Sequence, residues 1–225
     1  MNALNFFESL GVQENINSLN NLFTDYIDFT EPMFLLSIFY SILCFLLWIL
    51  IPHLEFKYKF LSRLLNGDQE KACDFLSYFL IYTGTMRNNA INEMINKNKV
   101  ITYGIYEIPL QIFAYTTMTF GIILVIFSFY RLGLRGMYFG DHFGFLLKEK
   151  IVSFPYNYFP NAQYVGTTWL FIGYAIAFHS PAGLFITLLI NILYQILNLV
   201  ESKKLEIFYP YNPNNNKENG QIKTE

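Results

Sequence analysis

Hydrophobic residues fall in long blocks separated by short polar breaks, not in the alternation expected of half-buried strands. The first block, 33–51, carries no charge and lies between Pro32 and Pro52. At about 1.5 Å per residue it just crosses a hydrocarbon core of about 30 Å. A basic loop follows with Lys57, Lys59, Arg63 and Lys71. The next helix, over 73–92, is less apolar, and its Asp74 and Arg87 must either snorkel or face protein. Residues 108–130 form the strongest block, stopped by Arg131. Residues 165–200 are almost wholly apolar, but His179-Ser180-Pro181-Ala182-Gly183 interrupts them with turn formers. The break predicts a helical hairpin, 165–178 and 183–200.

Before the first block, Val12, Ile16, Leu19, Leu22, Phe23, Tyr26 and Ile27 recur at helical spacing. Residues 1–32 therefore read as an amphipathic segment, at the membrane interface or packed on the protein. This stretch has acids but no Lys, Arg or continuous apolar core, so it lacks the pattern of a cleavable signal peptide. The tail, 209–225, is Asn-rich and poor in hydrophobes, a composition that predicts disorder. The expected fold is an all-α integral membrane protein: a multi-span helical bundle over 33–208 with a C-terminal hairpin. Loop charge places the acidic N-terminus outside and the basic loops, the polar segment after residue 130 and Glu201 in the cytosol.

Composition agrees: 53% of the 225 residues are hydrophobic and 14% charged, where a soluble domain carries about a quarter charged. A net charge of -2 gives no footprint for nucleic acid. Cys44 and Cys73 read as small buried hydrophobes, with no metal-like spacing. There is no dinucleotide fingerprint, Walker loop, H-E-x-x-H or nucleophile elbow, so any cofactor must be cradled by the helices themselves.

The chemistry concentrates in the polar run 131–166, set beside the most apolar helix, where ionisable groups are costly and mark a site. Gly136, Gly140 and Gly144 are four apart, which suits either close helix packing or a turn with backbone near a ligand. Asp141 and His142 are adjacent: the carboxylate either orients the imidazole as a base or pairs with Arg131 or Arg135. His53 and His179 read as interface residues. The aromatics around Pro155 and Pro160 either hold a cation such as a sulfonium or form an interfacial belt.

Several elements recur in order: Arg131-Leu132-Gly133, Gly140-Asp141-His142-Phe143-Gly144, Phe154-Pro155-Tyr156-Asn157, Tyr164-Val165-Gly166, Ser180-Pro181-Ala182-Gly183-Leu184, and Glu201 with Glu206-Ile207. Together they resemble the phospholipid N-methyltransferase family, with a thinner match from Glu55-Phe56-Lys57 to Leu61-Ser62-Arg63. The resemblance implies a membrane enzyme of the endoplasmic reticulum. It would take S-adenosylmethionine as methyl donor, need no metal, and act on a phospholipid with an ethanolamine-type headgroup. It also implies donor binding by a G-x-G on the third membrane helix and a Glu-Glu pair after the last. Gly121 and Glu201 match the second member of each pair, whereas Thr119 and Val200 stand at the first. His142 stands where the family usually has Tyr, and Ala162-Gln163 where it has Pro-Met.

Methyl transfer to an amine is an in-line displacement that requires a neutral amine and aligned reactants. The expected roles are headgroup recognition or base work for Asp141 and His142, and donor binding for Gly121, Tyr164, Gly166 and Glu201. Gly121 has a packing glycine as its alternative reading. Three other functions compete: an isoprenylcysteine carboxyl methyltransferase, disfavoured by Asn161-Ala162-Gln163 before Tyr164; a sterol-type reductase, disfavoured by the lack of an arginine cluster near the last helix; and a catalytically decayed membrane scaffold.

Overall fold

The computed structural model describes residues 25–145, 151 and 153–208. The expected amphipathic stretch up to residue 24 and the tail from residue 209 lie outside the described residues. Within them the chain forms helices α1 (Pro32–Tyr58), α2 (Phe60–Leu64), α3 (Gln69–Lys97), α4 (Glu107–Met137), α5 (Ala162–Ala177) and α6 (Pro181–Phe208). Two 3-10 turns, Gly104–Tyr106 and Gly140–Phe143, complete the described elements, and none of them is a strand. Among the described residues three stretches are long and apolar enough to cross a membrane: Pro32–Tyr58, Gly104–Phe143 and Pro181–Ser202. The molecule is an all-α membrane protein.

Helix α1 begins where the Glu31 carboxylate accepts the Phe34 N–H at 2.7 Å, with Pro32 pre-set for the first turn. It does not end at Pro52, as the apolar block predicts. Pro52 is buried inside the helix, which continues to Tyr58. Proline removes one backbone hydrogen bond, a loss that packed membrane helices absorb. The real stop is Lys59, whose left-handed backbone (φ 52°) turns the chain into α2. The fully buried Glu55 carboxylate caps that turn, accepting from Leu61 N (2.7 Å), Ser62 N (3.2 Å) and the Ser62 hydroxyl.

Helix α3, with 29 residues, is about 43 Å long. The two charges that border its apolar stretch find protein partners: Asp74 meets Arg135, and Arg87 is buried against α6. Helices α4 and α5 pack tightly along a seam of small residues. A Cβ on Gly121 would lie 2.5 Å from Gly166 O, and one on Gly173 would lie 2.4 Å from Ala114 O. Backbones that close require glycine. The expected hairpin is present: α5 ends at Ala177, His179 turns with φ 54°, and the Ser180 hydroxyl accepts the Gly183 N–H at 3.0 Å to start α6.

Two apolar clusters fill the bundle. One joins Ile27, Phe34, Ile91, Met94, Phe171 and Ile186. The other gathers Trp48, Leu61, Leu76, Leu80, Phe143 and Leu197. The second lies where α1, α4 and α6 finish and where α3 and α5 begin, which is the end that carries the polar segment.

Candidate active site

The described start of the polar segment leaves the helix in a turn and does not continue as one helix face. Gly133 (φ 65°) breaks α4 near its end, Phe139 has φ 62°, and Gly144 has φ 92°. Gly136, Gly140 and Gly144 therefore do not share one packing stripe. Gly140 is needed for close approach, since a Cβ there would meet Arg135 O at 2.7 Å.

Asp141 and His142 sit in the 3-10 turn after α4. One Asp141 oxygen accepts both the His142 backbone N–H at 3.0 Å and, at 2.8 Å, His142 Nδ1. The imidazole is buried, edge-on to Phe56 (5.7 Å) and Phe139 (5.5 Å), and Lys59 Nζ donates to its backbone carbonyl at 3.1 Å. The α1–α2 corner thus positions this histidine. Both arginines offered as partners for Asp141 go elsewhere. Arg135 grips Asp74 with two bonds (2.9 and 3.1 Å) and lies over Phe145 (4.7 Å), while Arg131 Nε donates to Phe154 O at 3.2 Å.

The hairpin brings Tyr164 and Glu201 together: the phenol donates to the carboxylate at 2.6 Å. The Tyr164 ring stacks on Tyr194 at 4.8 Å and 20°, and Asn161 bonds Asn198 beside it. Nearby, the Tyr156 hydroxyl and Ser128 Oγ are buried beside one another, without a hydrogen bond of full geometry to any group. Burial raises the Tyr156 pKa; the Ser128 hydroxyl opposes the rise and the Glu201 charge adds to it. A carboxylate beside two unsatisfied buried hydroxyls fits a polar, positively charged ligand, since orphaned polar groups are rare without a partner to receive.

Gly121 and Gly166 face each other across the α4–α5 seam. Thr119 is exposed and bonds back to Tyr115 O at 2.8 Å, on a different face of α4 from Gly121. Its side chain is absent from the seam. Val200 is half-buried next to Glu201. His179 pairs with Glu107 at 2.8 Å at the other end of the hairpin, and His53 is exposed on the prolonged α1. Ser128 is not singled out by any motif in the sequence, and Tyr156 is visible there as an aromatic within Phe154-Pro155-Tyr156-Asn157 but not as a buried hydroxyl. A lone Ser inside an apolar helix was the available signal. Among the described residues no three His, Cys, Asp or Glu side chains gather as metal ligands.

Fold and site define a helical integral membrane protein with a polar site built at one end of its bundle. The phospholipid methyltransferase family matches residues 110–212. The chain is 30% identical over 186 residues to phosphatidylethanolamine N-methyltransferase A of Dictyostelium discoideum, covering 82% of this chain and 86% of that protein. It is 38% identical over 152 residues to phosphatidyl-N-methylethanolamine N-methyltransferase of Schizosaccharomyces pombe, covering 67% and 76%. It is 29% identical over 180 residues to the human phosphatidylethanolamine N-methyltransferase, covering 78% and 87%. No solved structure matches it. The chain belongs to the phospholipid methyltransferase family.

Proposed function

We propose that the protein transfers methyl groups from S-adenosylmethionine to the amine of phosphatidylethanolamine, or of its mono- and dimethyl derivatives, toward phosphatidylcholine. The observation that carries this reading is the Tyr164–Glu201 hydrogen bond, which sets a carboxylate beside the buried Tyr156 and Ser128 hydroxyls. When bound, the donor supplies an electrophilic methyl on a sulfonium. Glu201 holds the donor's polar groups, and Tyr164 fixes the carboxylate in place. Gly121 and Gly166 serve this arrangement by letting α4 and α5 close, which sets where Tyr164 projects. Asp141 orients the His142 ring, and the pair recognises the headgroup or takes the proton that the amine must lose before attack. The membrane is that of the endoplasmic reticulum, with the site on the cytosolic face.

The test is incubation of the detergent-solubilised protein with methyl-labelled donor and each lipid in turn. Label recovered in phosphatidylcholine supports the reading. Label confined to a farnesylcysteine analogue would replace the substrate, and absence of saturable donor binding would leave a decayed scaffold.

A further inference from the structure

Arg87 takes no part in the site just described. It lies several turns further along α3, 7% exposed, and its partners are all neutral. Nη1 donates to the Tyr194 hydroxyl at 3.2 Å, while Nε and Nη2 donate to Asn88 Oδ1 at 3.2 and 3.1 Å. The guanidinium also lies over the Phe171 and Tyr194 rings at 5.6 and 6.0 Å. Among the described residues no carboxylate comes within ion-pair distance of it. A charge held this way in a membrane bundle is expensive, and such residues mark pathways or ligand sites.

A second observation points to the same place. Trp48 Nε1, on α1, is buried and has no hydrogen-bond acceptor. Trp48 and Arg87 line one crevice between α1, α3 and α6, together with Ser41, Cys44 and the half-buried Phe45 and Leu193. The Ser41 hydroxyl is spent on Ser37 O and the Cys44 thiol on Thr83 O. Of the polar groups that line it, the Tyr194 hydroxyl oxygen already accepts from Arg87, which leaves a cation and an N–H donor, so the crevice calls for an anionic acceptor. Its free space, about 10 Å³, admits one oxygen-sized group. Guanidinium and phosphate are matched in geometry as well as in charge.

We propose that this crevice receives a non-bridging phosphate oxygen of the phospholipid substrate, with Arg87 and Trp48 as its donors. The inference rests on the phospholipid reading and adds the element of the substrate that the amine chemistry does not use. Tyr194 ties the two regions: it accepts from Arg87 and stacks on Tyr164, which holds Glu201. A phosphodiester at Arg87 thus selects phospholipids over other amine-bearing amphiphiles and sits one aromatic stack away from the donor site.

The experiment uses the full chain in nanodiscs and two acceptors, dimethylated phosphatidylethanolamine and a diacyl amphiphile carrying the same amine through a neutral ether. Wild type is expected to favour the phospholipid, and Arg87→Gln to lose about tenfold or more of that preference through a raised KM for the lipid, with the KM for donor unchanged. Arg87→Lys restores part of it. Trp48→Phe, which keeps the ring and removes the N–H, raises the lipid KM and serves as the test if Arg87→Gln does not fold. Equal losses on both acceptors, or a change confined to the donor KM, would overturn the inference and make Arg87 structural. If wild type methylates phospholipid but shows no preference over the ether, the inference alone fails. If it methylates no phospholipid, the function reading fails with it.

Discussion

Tyr164 and Glu201 lie at opposite ends of the helical hairpin sequence, yet the Tyr164 hydroxyl donates to the Glu201 carboxylate at 2.6 Å. The contact requires α5 and α6 to run antiparallel with the right register, which the Ser180-capped turn and the close approach of Gly183 to Ala175 provide. The same tyrosine stacks on Tyr194, so the carboxylate is held from two helices.

A hydrogen bond to a charged acceptor contributes about 1.5–3 kcal/mol. Tyr164→Phe is therefore expected to weaken donor binding by about tenfold or more, and Glu201→Gln by at least as much, since it also removes the charge. Initial rates against donor concentration at fixed lipid check this. The rise should fall on the donor KM and leave the lipid KM in place.

Gly121→Ala sets a methyl about 2.5 Å from Gly166 O and 2.7 Å from Leu170 N, both backbone atoms that cannot swing away. Overpacking of this kind costs about 1–3 kcal/mol, and the helices must separate to relieve it. Gly84, inside α3, has nothing within 4 Å of the same position. Gly84→Ala should gain about 0.5–1 kcal/mol from helix propensity. Thermal unfolding in detergent should place the two variants on opposite sides of wild type.

Much of this architecture is legible in the apolar blocks, because a membrane helix announces itself by length and lack of charge. The hairpin was readable from Ser180-Pro181-Ala182-Gly183, whose turn and cap the structure contains. The end of α1 was not, because proline in a packed membrane helix keeps its neighbours' compensation and the stop depends on Lys59 and the Glu55 cap. The adjacency of Asp141 and His142 left the carboxylate's partner open between the imidazole and an arginine; Arg135 is drawn off by Asp74, a contact across separate helices that local spacing does not encode. Gly121 was visible as a glycine but not as the mate of Gly166, since that pairing depends on how α4 crosses α5.

Acid should loosen the start of α3. Asp68 caps it, accepting the Lys71 N–H at 3.0 Å and meeting Lys71 Nζ at 2.8 Å, and these bonds lower its pKa below 3.8. A depressed carboxylate pKa stabilises the fold above the unfolded value and loses that contribution as pH falls through the folded one. Asp68→Ala should thus melt below wild type at pH 7, and the gap should close progressively below about pH 4, as the wild-type Asp68 carboxylate takes up its proton. Paired melting curves across that range measure it.

Asp141 fixes the imidazole beside it by accepting at Nδ1 and at the backbone N–H of His142. Asp141→Asn keeps the shape of the side chain but removes the charge, and an amide oriented to donate can no longer accept from Nδ1. The ring is wedged between Phe56 and Phe139, so it stays in place while its tautomer is no longer enforced. The expected result is a stable protein with intact donor binding whose kcat falls by about 10²–10⁴-fold if the pair does base work. If the pair recognises the headgroup instead, the loss should appear in the lipid KM with kcat nearly unchanged. A variant with wild-type kcat and wild-type lipid KM would remove Asp141 from the site altogether. Steady-state rates against phospholipid at saturating donor separate the three outcomes, and the lipid dependence of the step assigns the role.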